Sequence, residues 1–188
     1  LMYFDEDIIL DIRLNTLDKF VSKFIICEAK YNHNGVKKKL KFNIKNFKKF
    51  EKKIIYLVFD QEPSDLYKFE KKDTQADISS KYIFNAGKRE NGQRNFISRG
   101  LKDAKSDDII IISDVDEIPN LAGINFNTIK NEIIIFRHEM FYYKFNLKLP
   151  NYKWTGSKAC KMKNLKSPQW LRNIKDKKFG FYRIDTFF

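Results

Sequence analysis

The stretch Ile109-Ile110-Ile111-Ile112-Ser113-Asp114-Val115-Asp116-Glu117-Ile118-Pro119 decides how the chain is read. Four consecutive β-branched residues are stiff at χ1 and favour extended backbone. A strand with no polar alternation must be covered on both faces. Ile109–Ile112 is therefore expected at the buried centre of a mainly parallel sheet with helices on both faces, an α/β fold. The carboxylates follow at the strand's C-terminal end, the edge where α/β sheets bind ligands. Asp114 and Asp116 are two apart, so extended backbone would turn both to one side. With Glu117 they form a cluster that repels itself unless a cation or a basic partner relieves it. Hard divalent ions, Mn²⁺ or Mg²⁺, take one or two carboxylates and complete their shell with phosphate oxygens. The plainer alternative is an acidic turn that caps the next segment.

Outward from this stretch, the segment Arg89-Glu90-Asn91-Gly92-Gln93-Arg94-Asn95 is expected to open a helix over residues 90–104, with Ile97, Leu101 and Ala104 on its apolar face. A helix start offers unpaired amides and a positive dipole end, and Arg94 there would pair with a phosphate or carboxylate. Residues 24–27 and Ile54–Phe59 are apolar runs ending in Glu28 and Asp60, which should share the edge that bears Asp114. Glu28 is expected to touch a nucleoside base or ribose. Residues 8–20 read as a helix with Ile9, Ile12, Leu14 and Leu17 on its apolar face. Ile44, Phe47 and Phe50 recur every three residues, as on one side of a short helix. Residues 61–87 read as a long loop with partial helix, and residues 133–136 as a second strong strand. The aromatic segment 140–145, with Trp154 and Trp170, reads either as core or as a sugar-stacking wall.

Composition sets the remaining bounds. A chain of 188 residues suits one α/β domain. No apolar run approaches the roughly 18–20 residues of a membrane span. Cys27 and Cys160 lack metal-ligand spacing and read as free thiols of a reducing, cytoplasmic compartment, with one bridge between them as the alternative that only distances decide. His33 and His138 are too far apart in sequence to suggest a metal cluster. The net charge of +13 attracts polyanions, and peripheral contact with an anionic membrane surface is one use for it. A nucleic-acid binder would leave the acidic strand end without purpose, so nucleic acid is not expected as a partner. A phosphatase of the haloacid dehalogenase type also places two aspartates after an apolar strand. Its motif lies near a domain's start, however, and a small hydroxyl residue commonly follows where this chain has Ile118.

The stretch RENGQRNFISRGLKDAKSDDIIIISDVDEIP resembles the central signature of glycosyltransferase family 17, and FDEDIILDIRLNTLDKFVSKFIICEA, IIYLVFD and YKWTGSKACKMKNLKSPQWLRN extend the resemblance along almost the whole chain. The resemblance implies a GT-A-type nucleotide-sugar-binding fold, a UDP-sugar donor, Mn²⁺ or Mg²⁺, and inverting transfer, with N-acetylglucosamine the expected sugar, to a glycan acceptor hydroxyl. Carried over, Asp114 and Asp116 match the metal and diphosphate motif. Gln93, Arg94 and Asn95 match a helix start near the donor, and Glu28 a strand end near the uridine. For the base that takes the acceptor proton, Glu139 is expected because it follows the strand at 133–136, with Asp185 as its substitute. The resemblance also implies sequence beyond both ends of this single domain.

Overall fold

The computed structural model describes residues 1–144 and 146–176. Strands β1 (Met2–Tyr3), β2 (Phe24–Ala29) and β3 (Ile54–Phe59) form a parallel sheet in that order, with helix α1 (Asp7–Leu17) crossing from β1 to β2. Helix α2 (Gln75–Phe96) leads through a 3-10 turn at Ile97–Leu101 to β4 (Ile109–Ile112). Beyond β4 the pairing becomes antiparallel. Strand β5 (Ile133–Ile135) precedes a separate hairpin of β6 (His138–Phe141) and β7 (Lys148–Trp154), and β8 (Lys158–Lys161) then inserts between β4 and β5. Helix α3 (Pro168–Asn173) follows, with Pro168 in its first turn and Ser167 capping its start.

Helices do cover both faces, and the alternation of strand side chains shows why. Ile26 packs into one apolar cluster with Leu10, Leu14, Leu17, Phe47 and Phe50. Its neighbour Cys27 packs into the other with Ile97, Leu101, Ile112 and Leu171. Ala159 and Cys160 divide in the same way, as a period of two requires.

Several expectations are corrected. The strands do not form one mainly parallel sheet: β1-β2-β3 are parallel, β4-β8-β5 make a separate antiparallel sheet, and β4, expected at the centre, is an outer strand of that sheet with β8 in the middle. Ser157-Lys158-Ala159-Cys160 gives no β-branched signal, yet every one of these residues is buried. On α1 the buried stripe is Leu10, Arg13, Leu14 and Leu17, whereas Ile12 is exposed. Residues 44–53 form two short 3-10 turns joined by a kink at Phe47 (φ −125°, ψ 30°), and Phe47 and Phe50 are both buried. The largest correction concerns α2. It begins at Gln75, where Thr74 and Asp77 form a reciprocal capping box, and Gln93 and Arg94 lie in its last turn. The dipole argument for an anion site at Arg94 therefore fails, because that end of the helix carries the negative pole. Periodicity hid the helix because Tyr82, Ile83 and Phe84 are exposed while Asn85, Gln93 and Arg94 are buried.

Replacing Thr74 with alanine removes the capping oxygen from the Asp77 amide and should lower stability by about 1 kcal/mol in urea unfolding. An unchanged midpoint would contradict a helix start at this position.

Candidate functional site

The turn after β4 is built by a buried arginine. Arg13, on the apolar stripe of α1, donates through Nη1 to the carbonyls of Asp114 (2.9 Å) and Glu117 (3.0 Å) and through Nη2 to Ser113 Oγ (2.5 Å). These bonds hold residues 113–117 as a tight turn closed by Glu117 N to Asp114 O at 3.2 Å. The two aspartates are thus not on extended backbone, and the same-side expectation gives way to a division between them. Burial pulls the Arg13 guanidinium down to about 10, with Glu117, Asp114 and Asp116 acting against it. It stays charged at neutral pH.

Asp114 faces two cations. Arg94 Nη2 lies 3.1 Å from its Oδ1, and Arg172 Nη2 lies 2.7 Å from its Oδ2. Arg94 is only 2% exposed and also bonds Glu90 (2.8 Å) and Gln169 (2.5 Å). Arg172 reaches Glu117 Oε1 at 2.8 Å, and the Trp154 indole N–H donates to the same oxygen. A Cβ on Gly156 would collide with this Glu117 carboxylate and with Arg172, so glycine is needed for the close approach. Lys158 Nζ ties α3 to the 155–156 backbone by donating to the carbonyls of Thr155 (2.8 Å), Gly156 (3.2 Å) and Arg172 (2.9 Å). Burial raises the pKa of Asp114, but Arg172 and then Arg94 outweigh it and hold the carboxyl below the usual carboxylate range.

Asp116 differs in every respect. Its residue is exposed, and no ion pair or side-chain partner is found for its carboxylate among the described residues. Burial raises its pKa, with help from the negative charges of Glu117 and Asp114. Asp114 and Asp116 both line a cavity of about 850 Å³ at the C-terminal ends of β1 and β2, together with Phe4, Glu6, Gln93, Lys38 and the turn that follows β2. That turn carries Asn32, His33 and Asn34 and closes with Gly35 at φ +88°. Arg89 on α2 pins it by donating to His33 O at 3.1 Å while its Nε meets Glu62 at 2.6 Å.

The other expected residues are placed as follows. Glu28 is fully buried, and its oxygens accept from Lys38 (2.5 Å), the amides of Lys41 (2.8 Å) and Phe42 (3.1 Å), and the Tyr56 hydroxyl (2.8 Å). It shapes the segment beside the cavity, and its bonding capacity is already occupied. Gln93 fixes α2 to β2 by donating to Cys27 O at 2.9 Å, and Asn95 Oδ1 accepts the Gln169 amide at 3.0 Å. Glu139 lies on β6, clasped by Lys153 and Lys148, whose hydrogen bonds hold it below the usual range, a poor setting for a base. It does not line the cavity. Asp185 lies outside the described residues. Sequence reading missed Arg13 and Arg172. A charged residue interrupting the Leu10, Leu14 and Leu17 stripe was the available signal for the first; none marked the second.

No three His, Cys, Asp or Glu side chains form a ready-made metal cage among the described residues. The donor set still fits a hard cation that takes one carboxylate and completes its shell from phosphate and water, with Asp116 as that carboxylate.

The family model described as "Glycosyltransferase family 17" matches residues 1–170, and the chain belongs to that family. It is similar to the beta-1,4-mannosyl-glycoprotein 4-beta-N-acetylglucosaminyltransferases of Mus musculus, Homo sapiens and Rattus norvegicus, at 26% identity over 95% of this chain and 32% of each relative. The chain thus spans about a third of the length of these relatives. No solved structure matches it. Family membership leaves the phosphatase and nucleic-acid readings without support.

The two aspartates should respond to pH with opposite sign. Folding lowers the Asp114 pKa, so its ionised form stabilises the fold above the ordinary Asp range, and this is lost as pH falls through the lower folded value. Folding raises the Asp116 pKa, so its ionised form costs stability above the raised value, and the cost disappears below the ordinary range. Asp114→Asn should therefore destabilise at neutral pH and Asp116→Asn should stabilise. In urea titrations the Asp116 difference should close once the pH falls below the ordinary Asp range, and the Asp114 difference only further down, through its lowered folded value. Equal signs would refute the division of roles.

Proposed function

We propose that this chain forms the donor-binding part of a metal-dependent, inverting glycosyltransferase that moves a sugar, N-acetylglucosamine by analogy with the relatives' names, from a UDP-sugar to a glycan hydroxyl. The observation that carries the proposal is the exposed, unpaired Asp116 carboxylate on a cavity whose charged lining otherwise comprises Glu6, Asp114 and Lys38. Such a lining repels a bare diphosphate, and a divalent cation on Asp116 reverses that sign. The cavity volume of about 850 Å³ lies within the range of small-molecule sites. Phe4, Tyr31, Asn32 and Asn34 on the same cavity suit a base and ribose. The parallel β1-β2-β3 sheet followed by an acidic turn supports a GT-A-type fold.

In the proposed reaction the acceptor hydroxyl oxygen attacks the anomeric carbon and gives up its proton to a base as the bond to the diphosphate breaks on the opposite side, which inverts the centre. Mn²⁺ or Mg²⁺ bound at Asp116 would supply positive charge beside the departing diphosphate. Arg94 and Arg172 keep Asp114 ionised and fixed, so the turn needs no rearrangement as charge develops. The described residues include no helix long and apolar enough to cross a membrane. The buried free thiols of Cys27 and Cys160 support a cytoplasmic setting, and the net charge of +13 supports peripheral contact with an anionic membrane surface.

UDP-N-acetylglucosamine should raise the melting temperature in the presence of Mn²⁺ and not in its absence, since a ligand that binds only the native state stabilises it. Asp116→Asn should weaken the metal-dependent binding at least about tenfold, roughly 1.4 kcal/mol. Binding that ignores both the metal and the substitution would overturn the proposal.

A further inference from the structure

We propose that the β6–β7 hairpin is the acceptor-binding arm of the site, on which a pyranose ring stacks against the exposed aromatic side chains around Tyr143; the inference rests on glycosyl transfer as the proposed function. The hairpin forms its own two-stranded sheet. It exposes Phe141, Tyr142, Tyr143, Leu147, Tyr152 and Trp154, with Tyr143 98% accessible. Apolar exposure of this density marks a binding surface.

The root of the hairpin identifies the occupant. Trp154 pairs in register with His138, its indole N–H donates to Glu117, and the Arg172 guanidinium lies 5.7 Å from its ring centroid. Glu117 belongs to the turn that presents Asp116, so the arm is fastened directly to the donor end of the site. The second substrate of a transfer must lie beside the donor, and this root sets the arm next to the donor turn although the hairpin does not line the donor cavity itself. The other exposed aromatic group lacks such a link: Tyr67 packs against Phe84 (centroids 5.8 Å apart) and Phe69 against Tyr82 (4.7 Å).

The backbone at the tip supports a ligand role. Tyr143 has φ +59°, a left-handed conformation that a bulky residue adopts at a cost and glycine adopts freely. Among the described residues the one ring beside it is that of its neighbour Tyr142, at 5.9 Å between centroids, and strain of this kind collects at ligand-binding positions. Tyrosine offers a flat face to the C–H groups of a sugar and a hydroxyl to its oxygens. Across the strands Glu139 is already paired with Lys148 and Lys153, which leaves the aromatic rings as the main contact surface.

The test uses the 188-residue chain and its Tyr143→Gly and Tyr143→Phe variants. Methyl β-D-mannopyranoside and methyl β-D-galactopyranoside are titrated by saturation-transfer NMR, and UDP-N-acetylglucosamine with Mn²⁺ is titrated on the same samples. Tyr143→Gly relieves the backbone strain, so its melting temperature should equal or exceed that of the parent. Its pyranoside dissociation constant should rise about three- to tenfold, the loss of one aromatic contact, with nucleotide affinity unchanged. Tyr143→Phe should bind the pyranosides within about twofold of the parent. Unchanged pyranoside binding in Tyr143→Gly, or no binding to the parent chain, would overturn the acceptor arm. So would a Tyr143→Gly defect confined to phosphatidylglycerol vesicles, which would make the tip a membrane contact. Pyranoside binding lost in Tyr143→Gly, without any nucleotide-sugar binding to the parent, would sink glycosyl transfer while leaving the stacking site in place.

Discussion

Arginines from three different helices, Arg13 of α1, Arg94 of α2 and Arg172 of α3, converge on the turn 113–117, and this charge convergence sets the geometry around it. Burying a guanidinium is costly unless its donors find partners, as both terminal nitrogens of Arg13 do while its Nε finds none among the described residues, and removing one member of a buried ion pair leaves an uncompensated charge worth about 3–5 kcal/mol. Each helix is thereby tied to the strand end by an interaction that cannot slide. Apolar packing alone would tolerate a shift of α1 along the sheet. The carbonyls that receive Arg13 would not.

The same convergence separates two carboxylates that sequence spacing presents as equivalent. Asp114 is held by cations and serves the fold. Asp116 stands in the field of two neighbouring carboxylates without a cation of its own, at a cost the fold does not recover. Perturbed groups of this kind cluster at functional sites. The repulsion that first suggested a metal is largely relieved by protein groups, so the case for a cation rests on Asp116 and on the anionic donor it would have to accept.

How much of this was legible in the sequence depended on the periodicity of each segment. β2, β3 and β4 stand out because uninterrupted apolar residues pack against clusters on both sides, β3 being only half-buried. The placement of Asp114 and Asp116 at a strand end followed directly. The start of α2 did not, since its apolar residues Tyr82, Ile83 and Phe84 face outward and its buried residues are polar. β8 was illegible for a similar reason: Lys158 is buried by donating to three carbonyls, a tertiary arrangement with no local signature. Arg172 comes from 58 residues beyond Asp114, and only the folded chain brings the two together. Glu28 was correctly read as a strand-end acid, but its hydrogen-bond partners come from the following segment and from β3.

In the proposed site Asp116 alone offers its carboxylate to a cation while Asp114 stays with Arg94 and Arg172. Crystals grown with UDP and Mn²⁺, recorded at the manganese absorption edge, test it most directly. An anomalous peak is expected about 2.1 Å from an Asp116 oxygen, with phosphate and water completing the shell, and with Asp114 still paired to Arg94 and Arg172. A manganese ion bound through Asp114 with the arginines displaced, or UDP in the cavity with no anomalous peak beside Asp116, would contradict it.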